Sequence, residues 1–141
     1  MKERIQLIKK KLNIKQKKNM LLKTLAMPNH TNANGDIFGG WIMSQMDMGG
    51  AILAKQISLG RVVTVQAKKI TFICPISIGD IINCYGKCVK IGNSSMKIKI
   101  EIWIKRLYSK PIKEKYLSTY GTFIYVAIDK NGNPRKVLKK N

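Results

Sequence analysis

Asp47 is a carboxylate set among apolar residues. Trp41, Ile42, Met43, Met46, Met48, Ile52 and Leu53 surround it in the chain, and an ionised group in such company is costly to bury without partners or a task. Gly39 and Gly40 open the same apolar segment. If that segment is a helix, its first backbone N–H groups are unpaired and carry positive dipole potential. Such donors suit a carbonyl oxygen that is gaining negative charge. Asn32 lies seven residues before Gly39, and Asp47 lies eight after it. Together they can supply an oxyanion donor (Gly39 N–H), a general base or nucleophile (Asp47) and a polar group that orients water (Asn32). Plainer readings stand beside these. Asn32, Asn34 and Gly35 are common turn residues, Asp36 suits a helix cap, the two glycines suit close packing, and His30 suits a loop.

Other chemistries find less support. There is no Gly-x-Ser-x-Gly elbow and His30 is the single histidine, so a Ser-His-Asp hydrolase is poorly supported. GDIFGG lacks the Lys-Ser/Thr of a phosphate loop and does not fit the dinucleotide fingerprint. Cys74, Cys84 and Cys88 are odd in number and lie in strand-like apolar runs. They read as reduced structural thiols, and with one histidine they make no plausible zinc set. No metal site is expected.

The elements that must position Asp47 follow from pattern and punctuation. The 141 residues suit one domain, and 45% apolar content suits a folded globule. No apolar run approaches the roughly 20 residues of a membrane span. The basic N-terminus lacks the apolar core and cleavage site of a signal peptide, so a soluble cytoplasmic protein is expected. Residues 1–20 read as a basic, flexible extension, with a weak amphipathic helix as the other possibility. Leu21 to Met27 reads as a strand ended by Pro28, followed by an Asn- and Gly-rich loop. A helix runs from Phe38 or Gly39 to Leu59 and is closed by Gly60, with Gly49 and Gly50 allowing close packing. Strands follow at 61–73, 81–90, 95–108 and 116–128. The third alternates most cleanly, with Met96, Ile98, Ile100, Ile102 and Ile104 on one face. Residues 136–141 read as a loosely held basic tail, leaving 21–135 as the domain. The order predicts an α+β domain in which a curved antiparallel sheet wraps one long apolar helix. Its open edges favour pairing with a second copy.

The formal charge of +20 is the most conspicuous number in the composition. It comes almost wholly from lysine, with arginine only at 4, 61, 106 and 135, whereas bidentate recognition of phosphate and guanine favours arginine. Lysine, isoleucine and asparagine are abundant together, which points to AT-rich codon usage. No specific nucleic-acid partner is expected. The surface would still attract anions, including the phosphates of a nucleotide-bearing substrate.

The run TLAMP, TNANGDIFGGWIMSQMDMGGAILAK, GRVVTV and TFICPISIGD, with the Gly92-Asn93-Ser94-Ser95 turn, closely resembles the YciA-type acyl-CoA thioesterases of the hotdog fold. The resemblance covers about residues 21–135. It implies a hotdog fold, a sheet wrapped around a long central helix, paired into a double hotdog. It implies a homodimer assembling to a homohexamer, and hydrolysis of acyl-CoA to free CoA and a carboxylic acid. No metal or organic cofactor is implied, since CoA is part of substrate and product. Carried over residue by residue, Asp47 is base or nucleophile, Gly39 N–H polarises the thioester carbonyl, and Asn32 helps hold the lytic water. Asn32 and Asp47 of one site would come from different subunits. Gly40 would join Gly39 at the substrate. The CoA phosphates need cations, for which Arg61, Lys68, Lys69, Arg106 and Arg135 are candidates, and Ser94 and Ser95 could add hydrogen bonds. The rivals are a hydratase or dehydratase, which would pair an acid with His30, and a nucleic-acid or membrane-surface binder, which rests on charge alone.

Overall fold

The computed structural model describes residues 18–107 and 115–138, together with residue 3. It contains β1 (Asn19–Leu25), a 3-10 turn (Pro28–His30), α1 (Gly39–Ser58), β2 (Val62–Phe72), β3 (Ile81–Ile91), β4 (Ser95–Lys105) and β5 (Tyr116–Ala127). The five strands form one antiparallel sheet in the order β1-β3-β4-β5-β2. The helix packs against every strand of it. This is the expected α+β hotdog arrangement of a curved sheet around one long helix.

Alternation along β4 explains the layering. Met96, Ile98, Ile100, Ile102 and Ile104 are fully buried on the helix side, so Lys97, Lys99, Glu101 and Trp103 fall on the outer face. The helix glycines lie where helix and sheet come closest. A methyl at Gly49 would sit 2.7 Å from Cys84 Sγ, and one at Gly50 would strike the Tyr125 hydroxyl and lie 2.7 Å from Ile100 Cδ1. Larger residues there would hold the helix off the sheet.

The described residues cover the helix on one side only. Met48, Ile52 and Leu59 remain exposed, as do Val63 and Val65 on the edge strand β2. The single sheet curls over one flank and leaves an apolar helix face beside an unpaired strand edge, the surface a second copy would cover.

Three local expectations are corrected. The basic tail is not loose throughout: Val137 is fully buried and its N–H donates to the Asn93 carbonyl at 2.9 Å. An apolar side chain docked in the core holds this end, so the ordered unit extends past 135. Asp36 does not cap α1, whose N-cap is Phe38 with no side-chain bond. Its backbone is engaged in the preceding turn instead. Leu59, not Gly60, takes the left-handed backbone that ends α1, at φ 54°. The expected N-terminal extension lies outside the described residues except for Glu3 and Lys18–Met20, and β1 already begins at Asn19. No helix among the described residues is long and apolar enough to cross a membrane.

Cys84 and Cys88 pack with the core. Burial pushes the Cys84 thiol up to about 12 and the Cys88 thiol up to about 11. The thiolate is the reactive form, so a thiol reagent at pH 8 should leave both unmodified in the folded protein and label them once it is unfolded. Rapid labelling of either in the native state would show that the β3 region opens.

Candidate active site

Asp47 sits in the third turn of α1 and meets two hydroxyls from the sheet. Thr64 Oγ1 donates to its Oδ1 at 2.6 Å. Tyr125 OH lies 3.0 Å from the same oxygen and 2.9 Å from the Asp47 backbone carbonyl, and its single proton serves both acceptors. Thr64 and Tyr125 are direct partners across β2 and β5, so the register itself brings the two donors together. Burial first, then the charge of Asp47 and its hydrogen bond, push the Tyr125 phenol well above the ordinary tyrosine range. It therefore stays protonated and donates. Both bonds converge on Oδ1, which leaves Oδ2 as the oxygen that can meet water or substrate. Gly50, three residues on, makes room for the Tyr125 hydroxyl.

Neither Thr64 nor Tyr125 was singled out from the sequence. Threonine and tyrosine are ordinary strand formers, and their types alone say little. Tyr125 did carry a signal: it falls on the inward face, in step with Phe123 and Ala127, where a buried phenol requires an acceptor.

Gly39 is the first helical residue. The first helical bond runs from Ile42 N–H to the Phe38 carbonyl at 3.1 Å, so the N–H groups of Gly39 and Gly40 have no partner within the helix. A methyl at Gly39 would lie 3.2 Å from the Phe72 ring, while the space beside Gly40 is open. Asn32 is a turn residue, as its type suggests. Its Oδ1 accepts from the N–H of Asn34 at 2.9 Å and of Asp36 at 3.2 Å. With the oxygen committed to the turn, Nδ2 is the donor the side chain can offer a ligand. His30 stacks on Trp41 at 4.6 Å between ring centroids, which fits a structural loop histidine.

A family model described as "Thioesterase superfamily" matches residues 34–108, which run from the Asn32 loop through α1 to just past β4. The chain belongs to the thioesterase superfamily. Among its relatives, an uncharacterized acyl-CoA thioester hydrolase of Haemophilus influenzae is 61% identical over 122 residues, covering 86% of this chain and 79% of that one. The acyl-CoA thioester hydrolase YciA of Salmonella typhimurium is 58% identical over 116 residues, covering 82% of this chain and 87% of that one. A crystal structure described as a hexameric broad-specificity acyl-coenzyme A thioesterase, in an aspartate-to-alanine mutant form, superposes with a TM-score of 0.84. It is 59% identical and covers 89% of this chain and 90% of that one. The YciA-type resemblance and the hotdog fold are both borne out.

In this thioesterase-superfamily chain the residues expected to meet CoA phosphates do not form one group. Arg106 Nε and Nη2 hold the buried carboxylate of Asp80 at 3.0 and 2.8 Å, and Nη2 also reaches Ser77 Oγ at 3.2 Å. That ion pair closes the β2–β3 connection onto the end of β4. Arg135 donates to the carbonyls of Ile128, Lys136 and Ser58 at 3.0–3.1 Å. It thereby caps the C-terminal end of α1, and its guanidinium occupies the space that a Cβ at Gly60 would enter. Arg61 is exposed, with one long bond of 3.4 Å to the Lys130 carbonyl. Ser95 pairs with Val126, one step along β5 from Tyr125, and Ser94 accepts from Ala127 N–H at 2.9 Å. The serine turn thus stands one row from the Asp47 cluster. Lys68 and Lys69 lie elsewhere, on the outer face of the sheet with Lys97 and Lys99.

Proposed function

We infer that this chain is an acyl-CoA thioester hydrolase that releases free CoA and a carboxylic acid, with Asp47 as the group on which turnover depends. The observation that carries the reading is the helix carboxylate pinned through Oδ1 by Thr64 and Tyr125, in a chain of the thioesterase superfamily. A thioester is an activated acyl group, so an oriented water, one carboxylate and one or two backbone donors suffice. As general base, Oδ2 takes a proton from water while the water oxygen bonds the acyl carbon. As nucleophile, Oδ2 bonds that carbon itself, and water then cleaves the anhydride. In both routes the carbonyl electrons collect on oxygen at the Gly39 N–H, the C–S bond breaks, and the CoA sulfur leaves as thiolate and takes up a proton. The chemistry calls for no metal or organic cofactor.

The site is shared between two subunits. Eight residues of helix separate Gly39 from Asp47, about 12 Å along the axis. A reacting carbonyl must lie about 3 Å from both donor and acid, so the two groups of one chain cannot serve the same thioester. Pairing two copies across the exposed β2 edge and helix face would bring Gly39 and Asn32 of one subunit to Asp47 and Thr64 of the other. Solved relatives described as hexameric support further assembly of such dimers into a hexamer. A cytoplasmic location accords with this substrate.

Asn32→Ala should lower kcat more than it raises KM for acyl-CoA, because water positioning acts in the transition state. A change confined to KM would make Asn32 a binding residue. Inactive Asn32→Ala and Asp47→Ala proteins, dissociated and reassociated together, should recover roughly a quarter of wild-type activity. Half of randomly paired dimers are mixed, and each has one intact site. Absence of any recovery would contradict the shared site.

A further inference from the structure

The outer face of the sheet, opposite to the helix and Asp47, carries a cleft of about 510 Å3 lined by Lys68, Lys69, Lys97 and Lys99, with Leu117 and Tyr120 among its other walls. The strand register concentrates the charge. Lys87 stands directly opposite Lys99, and Lys90 opposite Lys97, pairings that like charges disfavour. Lys99 and Lys68 both face Thr122 from its two sides, so the row Lys87–Lys99–Thr122–Lys68 crosses four strands.

The backbone adds to this concentration. β2 has an irregularity between Lys68 and Thr71, where the register slips against β5, and Lys69 there takes a left-handed conformation at φ 55°. That conformation is unfavourable for a residue other than glycine, and such outliers cluster where function maintains them. Consecutive strand residues normally face opposite sides, yet Lys68 and Lys69 line the same cleft. Lys68 first, then loss of solvent, Lys69, Lys90 and Lys99, hold the Lys97 ammonium below the usual lysine range. A multivalent anion seated among these groups would relieve that repulsion. Among the described residues, the one carboxylate lining the cleft, Glu101, is already engaged by Lys18 at 2.7 Å and Trp103 Nε1 at 2.9 Å.

We propose that this cleft binds a nucleoside polyphosphate, with its phosphates on the lysine row and its base against Tyr120 and Leu117. The volume is that of a small-molecule site. A half-exposed aromatic beside clustered cations matches a ligand with both a flat base and several phosphate charges. Two sources present that chemistry, a free nucleoside polyphosphate and the phosphorylated adenosine end of CoA.

The test titrates adenosine triphosphate calorimetrically into the full-length protein and into its Lys97→Gln/Lys99→Gln variant, each with and without saturating CoA. The wild type should bind saturably, and the variant about ten- to a hundredfold more weakly, the effect of losing a charge-assisted hydrogen bond. Its melting temperature should be unchanged or raised, since repulsion is relieved. Binding unaffected by CoA assigns the cleft to a free nucleotide. Competition by CoA, with a raised KM for acyl-CoA in the variant, assigns it to the substrate's own nucleotide. No saturable binding by the wild type, or equal affinity in both proteins, would overturn the proposal.

Discussion

Asp47→Ala is expected to lower kcat for thioester hydrolysis by about a hundred- to ten-thousandfold, the range of a general base in place, and to leave the fold intact. Asp47 is only partly buried, so no empty core volume results. Its two partners are not stranded either. Tyr125 keeps the backbone carbonyl of residue 47 as an acceptor at 2.9 Å, and Thr64 is exposed to water. Buried donors left without acceptors are what make such deletions destabilising, and here there are none. Thiol release measured beside a thermal melt separates the two effects. Turnover retained in a folded variant would remove Asp47 from the reaction, and a collapse of the melt would make it a structural residue.

Gly50→Ala is expected to damage stability and turnover together. Its methyl would strike the Tyr125 hydroxyl and come within 2.7 Å of Ile100 Cδ1, and both side chains are fully buried. Overpacking of this kind costs about 1–3 kcal/mol. Displacing Tyr125 also removes one of the two hydroxyls that hold Oδ1 of Asp47, so kcat falls as well. Tyr125→Phe isolates the second effect: it should lower kcat about tenfold, the scale of one hydrogen bond to a charged group, with KM nearly unchanged. Combining the substitutions removes the oxygen that the new methyl would strike. The cost of Gly50→Ala, read from denaturant melts, should therefore be smaller in the Tyr125→Phe background by at least about 0.5 kcal/mol. Strictly additive costs would mean that the helix shifts away from the sheet and does not press on Tyr125.

Local pattern carried most of the fold. Alternation in β4, the long apolar helix and the Pro and Gly punctuation are short-range signals, and the elements they mark appear within a few residues of their expected bounds. Asp47 and the glycines at the start of α1 were legible for the same reason: a carboxylate among methionines and paired glycines at a helix start are conspicuous in one dimension. Thr64 and Tyr125 were not, because they reach Asp47 only through the pairing of β2 with β5, 17 and 78 residues away in the chain. Arg106 and Arg135 hid their partners in a related way. Each looks like an available cation until folding brings it to Asp80, 26 residues away, or to Ser58, 77 residues away. The helix reads as apolar on all sides, yet the residues that one chain leaves uncovered can be identified only once the sheet order makes β2 an edge. Lysine content read as composition also concealed its arrangement. The charges that face one another on the outer sheet are set by register, which no count of residues contains.

The most direct measurement is release of free CoA thiol from a short acyl-CoA by the full-length wild type and by Asp47→Asn, side by side. Asparagine keeps the shape of the side chain and an oxygen for Thr64 and Tyr125, but cannot take a proton from water or attack the thioester. The wild type should turn over steadily, and the variant should lose at least about a hundredfold in kcat with an unchanged melting temperature. Comparable turnover by the two proteins, or no thiol release by the wild type, would contradict a hydrolase built on Asp47.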